Sequence, residues 1–146
     1  MSPASHRPLV INLSKALGCR ILSVDYRLAP ESQFPTAIFD SVTALHYLFS
    51  LGIPAENIYV AGDSAGGNLS LATLLYARDE VRAGRMPSNI GGGILLSPWC
   101  DLTASLSSME NNVVRFRFSL SWLRTHSLSI FSRRTTSLSV TRRTPP

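Results

Sequence analysis

Gly62-Asp63-Ser64-Ala65-Gly66 is the stretch of this chain whose residue types and spacing can do chemistry. A serine hydroxyl is a weak nucleophile and must be held exposed on a sharp turn where a base can reach it. A Gly-x-Ser-x-Gly pattern provides such a turn, a nucleophile elbow, when a strand leads into it and a helix leaves it. Both flanks fit. Ile58-Tyr-Val-Ala61 is a short apolar run suited to a buried strand, and Leu69, Ala72, Leu75 and Tyr76 recur at helical spacing. Glycines on either side let the backbone take a strained turn and let strand and helix approach closely. Ser64 is therefore the candidate nucleophile. The amide of Ala65, the first of the new helix, is the candidate oxyanion donor, favoured by the helix dipole. The bland alternative is a Gly-Ser turn that only joins strand to helix.

The elements that must position this turn follow from periodicity. Leu9, Val10, Leu13, Ala16 and Leu17 form one stripe over residues 4–17, an amphipathic helix ended by Gly18. Arg20 to Asp25 is a short apolar run that predicts a strand, and Pro30 and Pro35 bracket an irregular loop after it. Thr36 to Leu51 returns to helical spacing through Ala37, Val42, Ala44, Leu45 and Leu48. The elbow strand and its helix, running to about Arg82, come next, and Gly92 to Ser97 is a third buried strand. Apolar strands alternating with helices predict an α/β fold, three layers α-β-α, with a mostly parallel sheet of about three strands covered on both faces. The active loops of such sheets lie beyond the carboxyl ends of the strands, where Ser64 falls.

Length and composition bound the rest. The 146 residues suit one domain, with 45% hydrophobic content. No apolar run is long enough for a transmembrane helix, and the first residues lack the apolar core of a signal peptide, so a cytoplasmic location is expected. Cys19 and Cys100 are widely spaced and read as reduced, packed thiols. His6, His46 and His126 form no i, i+4 pair, and neither a metal nor another cofactor is expected. The net charge of +5 conceals an asymmetry. Residues 1–112 hold seven Arg/Lys against nine Asp/Glu, whereas residues 113–146 hold seven arginines and no acid. That shift divides a domain over 1–112 from an Arg/Ser/Thr-rich tail over 113–146, expected to be poorly ordered or non-native.

With these residues in view, the chain resembles the hormone-sensitive-lipase-like, fold-3 group of α/β-hydrolases. Four pieces carry the resemblance in order: Val24-Asp-Tyr-Arg-Leu-Ala-Pro-Glu31; Phe34-Pro-Thr-Ala37 with Asp40; Gly62-Asp-Ser-Ala-Gly-Gly-Asn68; and Leu95-Leu-Ser-Pro-Trp99 with Asp101-Leu-Thr103. Together they cover about residues 5–103. The resemblance implies hydrolysis of small acyl esters through an acyl-serine intermediate on Ser64, with the Ala65 amide as one oxyanion donor. It implies structural roles for Tyr26, Arg27 and Asp101, which would lock loops beside the site. The family also carries a His-Gly-Gly loop upstream of the segment matching Ser2–His6, and a catalytic acid and histidine downstream of the Ser-Pro-Trp strand. No counterpart of these is found here, and we expect a partial hydrolase. His126 is the sole histidine after Ser64, and no acid follows Glu110. His126 reads as a solvated residue of a basic tail, His46 as a helix-surface residue, and Asp63 as a brace for the elbow.

Three functions follow as alternatives. The first is a serine esterase. The second is a catalytically inactive hydrolase fragment whose exposed sheet edges favour self-association. The third is binding of anionic surfaces by arginines interleaved with Phe116, Phe118, Trp122 and Phe131, without a specific nucleic-acid module and without a membrane span.

Overall fold

The computed structural model describes residues 3–103 and 105–107. Helix α1 spans Pro3–Leu17, α2 Thr36–Ser50 and α3 Ala65–Arg82; strand β1 spans Tyr59–Asp63 and β2 Gly92–Leu96. A 3-10 turn, Ala55–Asn57, precedes β1. These bounds fall within a residue or two of those that periodicity predicts. Gly18 ends α1 at φ +62, a left-handed conformation that costs glycine little. None of the helices is long and apolar enough to cross a membrane. The arginine-rich segment 113–146, with His126, lies outside the described residues.

β1 and β2 pair in parallel, Tyr59 opposite Gly92 and Asp63 opposite Leu96, with α3 as the crossover between them. Alternate residues face opposite sides of the pair. Val60, Gly62, Gly93 and Leu95 turn toward α3. Tyr59, Ala61, Asp63, Ile94 and Leu96 turn the other way and stay exposed. The expectation of a sheet covered on both faces is thus corrected: Ile94 and Leu96 are about half exposed on a bare face (48% and 50%).

The third expected strand is corrected too. Residues 20–25 carry no strand, and the described sheet has two strands. The physical reason is pairing. An apolar run becomes a strand only where a neighbour accepts its amide and carbonyl hydrogen bonds. β1 bonds β2 on one edge, and among the described residues nothing pairs with 20–25. Ile21 and Leu22 accordingly remain exposed. The α1 stripe is similarly unburied: Leu9, Leu13 and Leu17 are exposed, and no residue of α1 is buried. Cys19 and Cys100 are also exposed, not packed, and unpaired.

The core lies at the amino end of β1, away from Ser64. Leu45 from α2, Ala55 and Ile58 before β1, Ala77 from α3, and Met86 and Ile90 before β2 form one buried cluster. Leu48, Phe49, Val60 and Leu74 pack around it. The Gly91 amide is bonded to the carbonyls of Ala55 and Ile58 (3.1 and 2.8 Å), which ties the approach to β2 to the approach to β1. This cluster anchors the root of the strand whose far end carries the elbow.

Candidate active site

Ser64 stands where β1 ends and α3 begins, with φ 50 and ψ −114. A serine in this region is strained and persists only where its surroundings hold it. Three backbone hydrogen bonds do so. The Ser64 amide donates to the carbonyl of Leu96 at the end of β2 (3.0 Å). The Ser64 carbonyl accepts from the amides of Asn68 (3.1 Å) and Trp99 (2.9 Å). The residue is thus tied to its own helix, to the neighbouring strand and to the loop beyond that strand. Its side chain is exposed, and no described residue hydrogen-bonds its Oγ.

Glycine makes the turn possible at one position in particular. A Cβ on Gly62 would fall on the Gly66 carbonyl and 2.8 Å from the Gly67 amide nitrogen, all of it backbone. Gly67 is buried against Pro98, whose Cα and Cβ lie 3.0 Å from where a Cβ would sit. Gly66 differs: nothing lies within 4 Å of the place a methyl group would take there. The two glycines of the pattern therefore do unequal steric work.

Ala65 is the first residue of α3 and is exposed. The first amides of a helix have no intrahelical acceptor, and they carry the positive end of the dipole. Asn68 makes the first bond back to Ser64, so the amides of Ala65 and Gly66 precede the helical ladder. An oxyanion formed at Ser64 would meet this end of α3.

Two further groups brace the surroundings. Arg27 grips Asp40 of α2 through its amide (2.9 Å), Nε (3.1 Å) and Nη2 (2.7 Å), fixing the loop after residues 20–25 to α2. Asp101 accepts bonds from the amides of Ser105 (2.8 Å) and Leu106 (3.0 Å) and from the Thr103 hydroxyl (2.9 Å), while its carbonyl accepts from Trp99 Nε1 (2.9 Å). Both carboxylates are occupied in holding loops. His46 is exposed on α2 and stacks edge-on with Phe49 at 5.9 Å, away from the elbow. Glu110 and His126 lie outside the described residues.

One contact escaped sequence reasoning. His6 Nε2 on the first turn of α1 lies 3.5 Å from Asp63 Oδ1, directly before Ser64. No periodicity or spacing links these residues; the signal is long-range and tertiary.

The carboxylates give an acid dependence. Hydrogen bonds from Arg27 hold Asp40 below its ordinary pKa, those from Arg85 hold Glu80 below its own, and the amide of Leu106 leads those that lower Asp101. A folded-state pKa below the unfolded one adds stability above the unfolded value and loses it as pH falls through the folded one. The melting temperature should therefore hold near neutrality and decline as pH drops below about 4, the ordinary carboxylate range. Asp40→Asn should flatten part of that decline, as read by circular dichroism melts across pH.

Comparison with known proteins identifies the family and the fold. The model of a family described as the alpha/beta hydrolase fold matches residues 1–144. An acetyl-hydrolase from Streptomyces hygroscopicus is 41% identical over 114 residues, covering 78% of this chain and 36% of that protein. Mouse (Mus musculus) hormone-sensitive lipase is 44% identical over 77 residues, covering 50% of this chain and 10% of that one. Among solved structures, an esterase from the bacterial hormone-sensitive lipase family superposes with a TM-score of 0.81 at 31% identity, covering 94% of this chain and 45% of that chain. The chain spans about a third of the length of the first two curated relatives it matches (36% and 34%).

Proposed function

The chain belongs to the α/β-hydrolase fold family, among the hormone-sensitive-lipase-like esterases, and on that premise we propose that it acts on small carboxylic esters with Ser64 as nucleophile. The observation that carries this reading is the exposed Ser64 at φ 50, between β1 and α3, with the Ala65 amide beside it. Ser64 Oγ adds to the ester carbonyl carbon while its proton passes to a base. The carbonyl oxygen takes the negative charge and receives the Ala65 N–H. Collapse expels the alcohol, which takes up a proton, and leaves an acyl-serine. Water then adds to the acyl carbon and releases the acid and Ser64.

The unit that does this is residues 1–112, and 113–146 is an appended basic segment. No described residue is a base bonded to Ser64 Oγ. That observation favours a second reading, a hydrolase scaffold whose serine is not activated. The bare face with Ile94 and Leu96 also fits association between copies.

A fluorophosphonate probe decides between the two readings of Ser64, because it reports an activated serine without requiring the right substrate. Intact mass should show one probe per chain on the wild type and none on Ser64→Ala. A folded sample that stays unlabelled would leave the scaffold reading in place.

A further inference from the structure

The strain at Ser64 is held from one side by hydrogen bonds accepted from α3 and the Trp99 loop and one donated to β2. The opposite side is the bare face of the sheet, where Asp63 projects as the last residue of β1. Two other parts of the chain meet Asp63 there. His6, on the first turn of α1, places Nε2 3.5 Å from Asp63 Oδ1. The half-buried Tyr26 also feels that carboxylate: burial, and then the charge of Asp63, push its phenol pKa up. The His6 ring is held from behind, its Nδ1 3.1 Å from Ser5 Oγ. No residue of α1 is fully buried, and the approach of His6 to Asp63 is a polar contact between its first turn and the elbow.

We propose that His6 is a positioning residue for the nucleophile, acting through Asp63. It would restrain the residue before Ser64 from the face opposite α3, keeping the peptide between Asp63 and Ser64 from relaxing out of its strained turn. The consequence is confined to the elbow. The two side chains are 34% and 54% exposed, and pairs that open to water contribute little to global stability. The proposal rests on Ser64 being the nucleophile, but its first readout does not.

The test uses the full chain and four variants: His6→Gln, Asp63→Asn, the double variant, and His6→Lys, which places an ammonium donor near Asp63. Amide hydrogen exchange is followed by NMR at Ser64, Asn68 and Trp99, whose bonds define the elbow. Each single variant should speed exchange there by about three- to tenfold, and the double variant no further, as for two residues acting through one contact. His6→Lys should restore most of the protection, and the melting temperature should stay unchanged. The rate of Ser64 labelling by a fluorophosphonate should fall in parallel and recover in His6→Lys. Unchanged exchange in His6→Gln, or additive effects in the double variant, would overturn the proposal. If the wild type is not labelled at all, the nucleophile reading fails, while the exchange data still decide whether His6 holds the elbow.

Discussion

Gly62→Ala should abolish both cooperative folding and labelling of Ser64, whereas Gly66→Ala should fold at least as well as the wild type. The two glycines frame the same serine, so the contrast isolates what each one does. At Gly62 the added methyl lands on the Gly66 carbonyl and close to the Gly67 amide nitrogen, with no flexible side chain to yield. The first turn of α3 would have to move away from β1, and the Ser64 amide would lose Leu96. Overpacking costs about 1–3 kcal/mol and occasionally more, and contact with fixed backbone puts this site at the upper end. At Gly66 the methyl meets nothing within 4 Å, and replacing a helical glycine with alanine gains about 0.5–1 kcal/mol. Gly93→Ala gives an intermediate case, because its methyl meets Leu74 Cδ1 at 2.6 Å, the mobile end of a side chain. Urea unfolding followed by fluorescence orders the three. Equal losses at Gly62 and Gly66 would mean that the turn needs glycine for conformation and not for space.

This asymmetry also marks the limit of what the sequence discloses. The pattern Gly-x-Ser-x-Gly identified Ser64 and its strand–turn–helix setting, since periodicity on both sides is local information. The pattern treats both glycines alike; only the approach of α3 to β1 separates them. Helix α2 was legible for the same reason, its apolar spacing matching the face that buries Val42 and Leu45. In α3 the spacing marks the helix but not its buried face, which is Gly67, Ser70, Thr73 and Ala77, while Leu75 is exposed. In α1 the periodicity was equally clear and predicted the helix, but not its burial: Leu9 and Leu13 repeat correctly and still face water. Residues 20–25 make the same point for strands. Composition reports that Ile21, Leu22 and Val24 would accept burial, whereas pairing depends on which backbone lies alongside. His6 was legible only as one histidine among three. Its place beside Asp63 depends on where α1 ends up relative to β1, and no spacing along the chain encodes that.

Leu45→Ala should cost about 3 kcal/mol, within the range of about 2–5 kcal/mol for truncating a buried leucine. Leu45 is 3% exposed and sits in a cluster of six buried residues, two of which are already alanines. So small a core has few larger neighbours to collapse into the space, and the cavity left behind should stay open. Folded domains have about 5–15 kcal/mol of stability in all, so this substitution should move the urea midpoint far down or remove the transition. Leu9→Ala on α1 is the matched control. Leu9 is 46% exposed, and substitutions on such a surface stay within about 0.5 kcal/mol. The pair of measurements tests more than the core. If Leu9→Ala costs as much as Leu45→Ala, the α1 stripe is buried in solution, and a second copy of the chain becomes the natural cover for it. Sedimentation would then show Leu9→Ala shifting the protein toward monomer, whereas a loss confined to Leu45 would leave the mass of the sedimenting species unchanged.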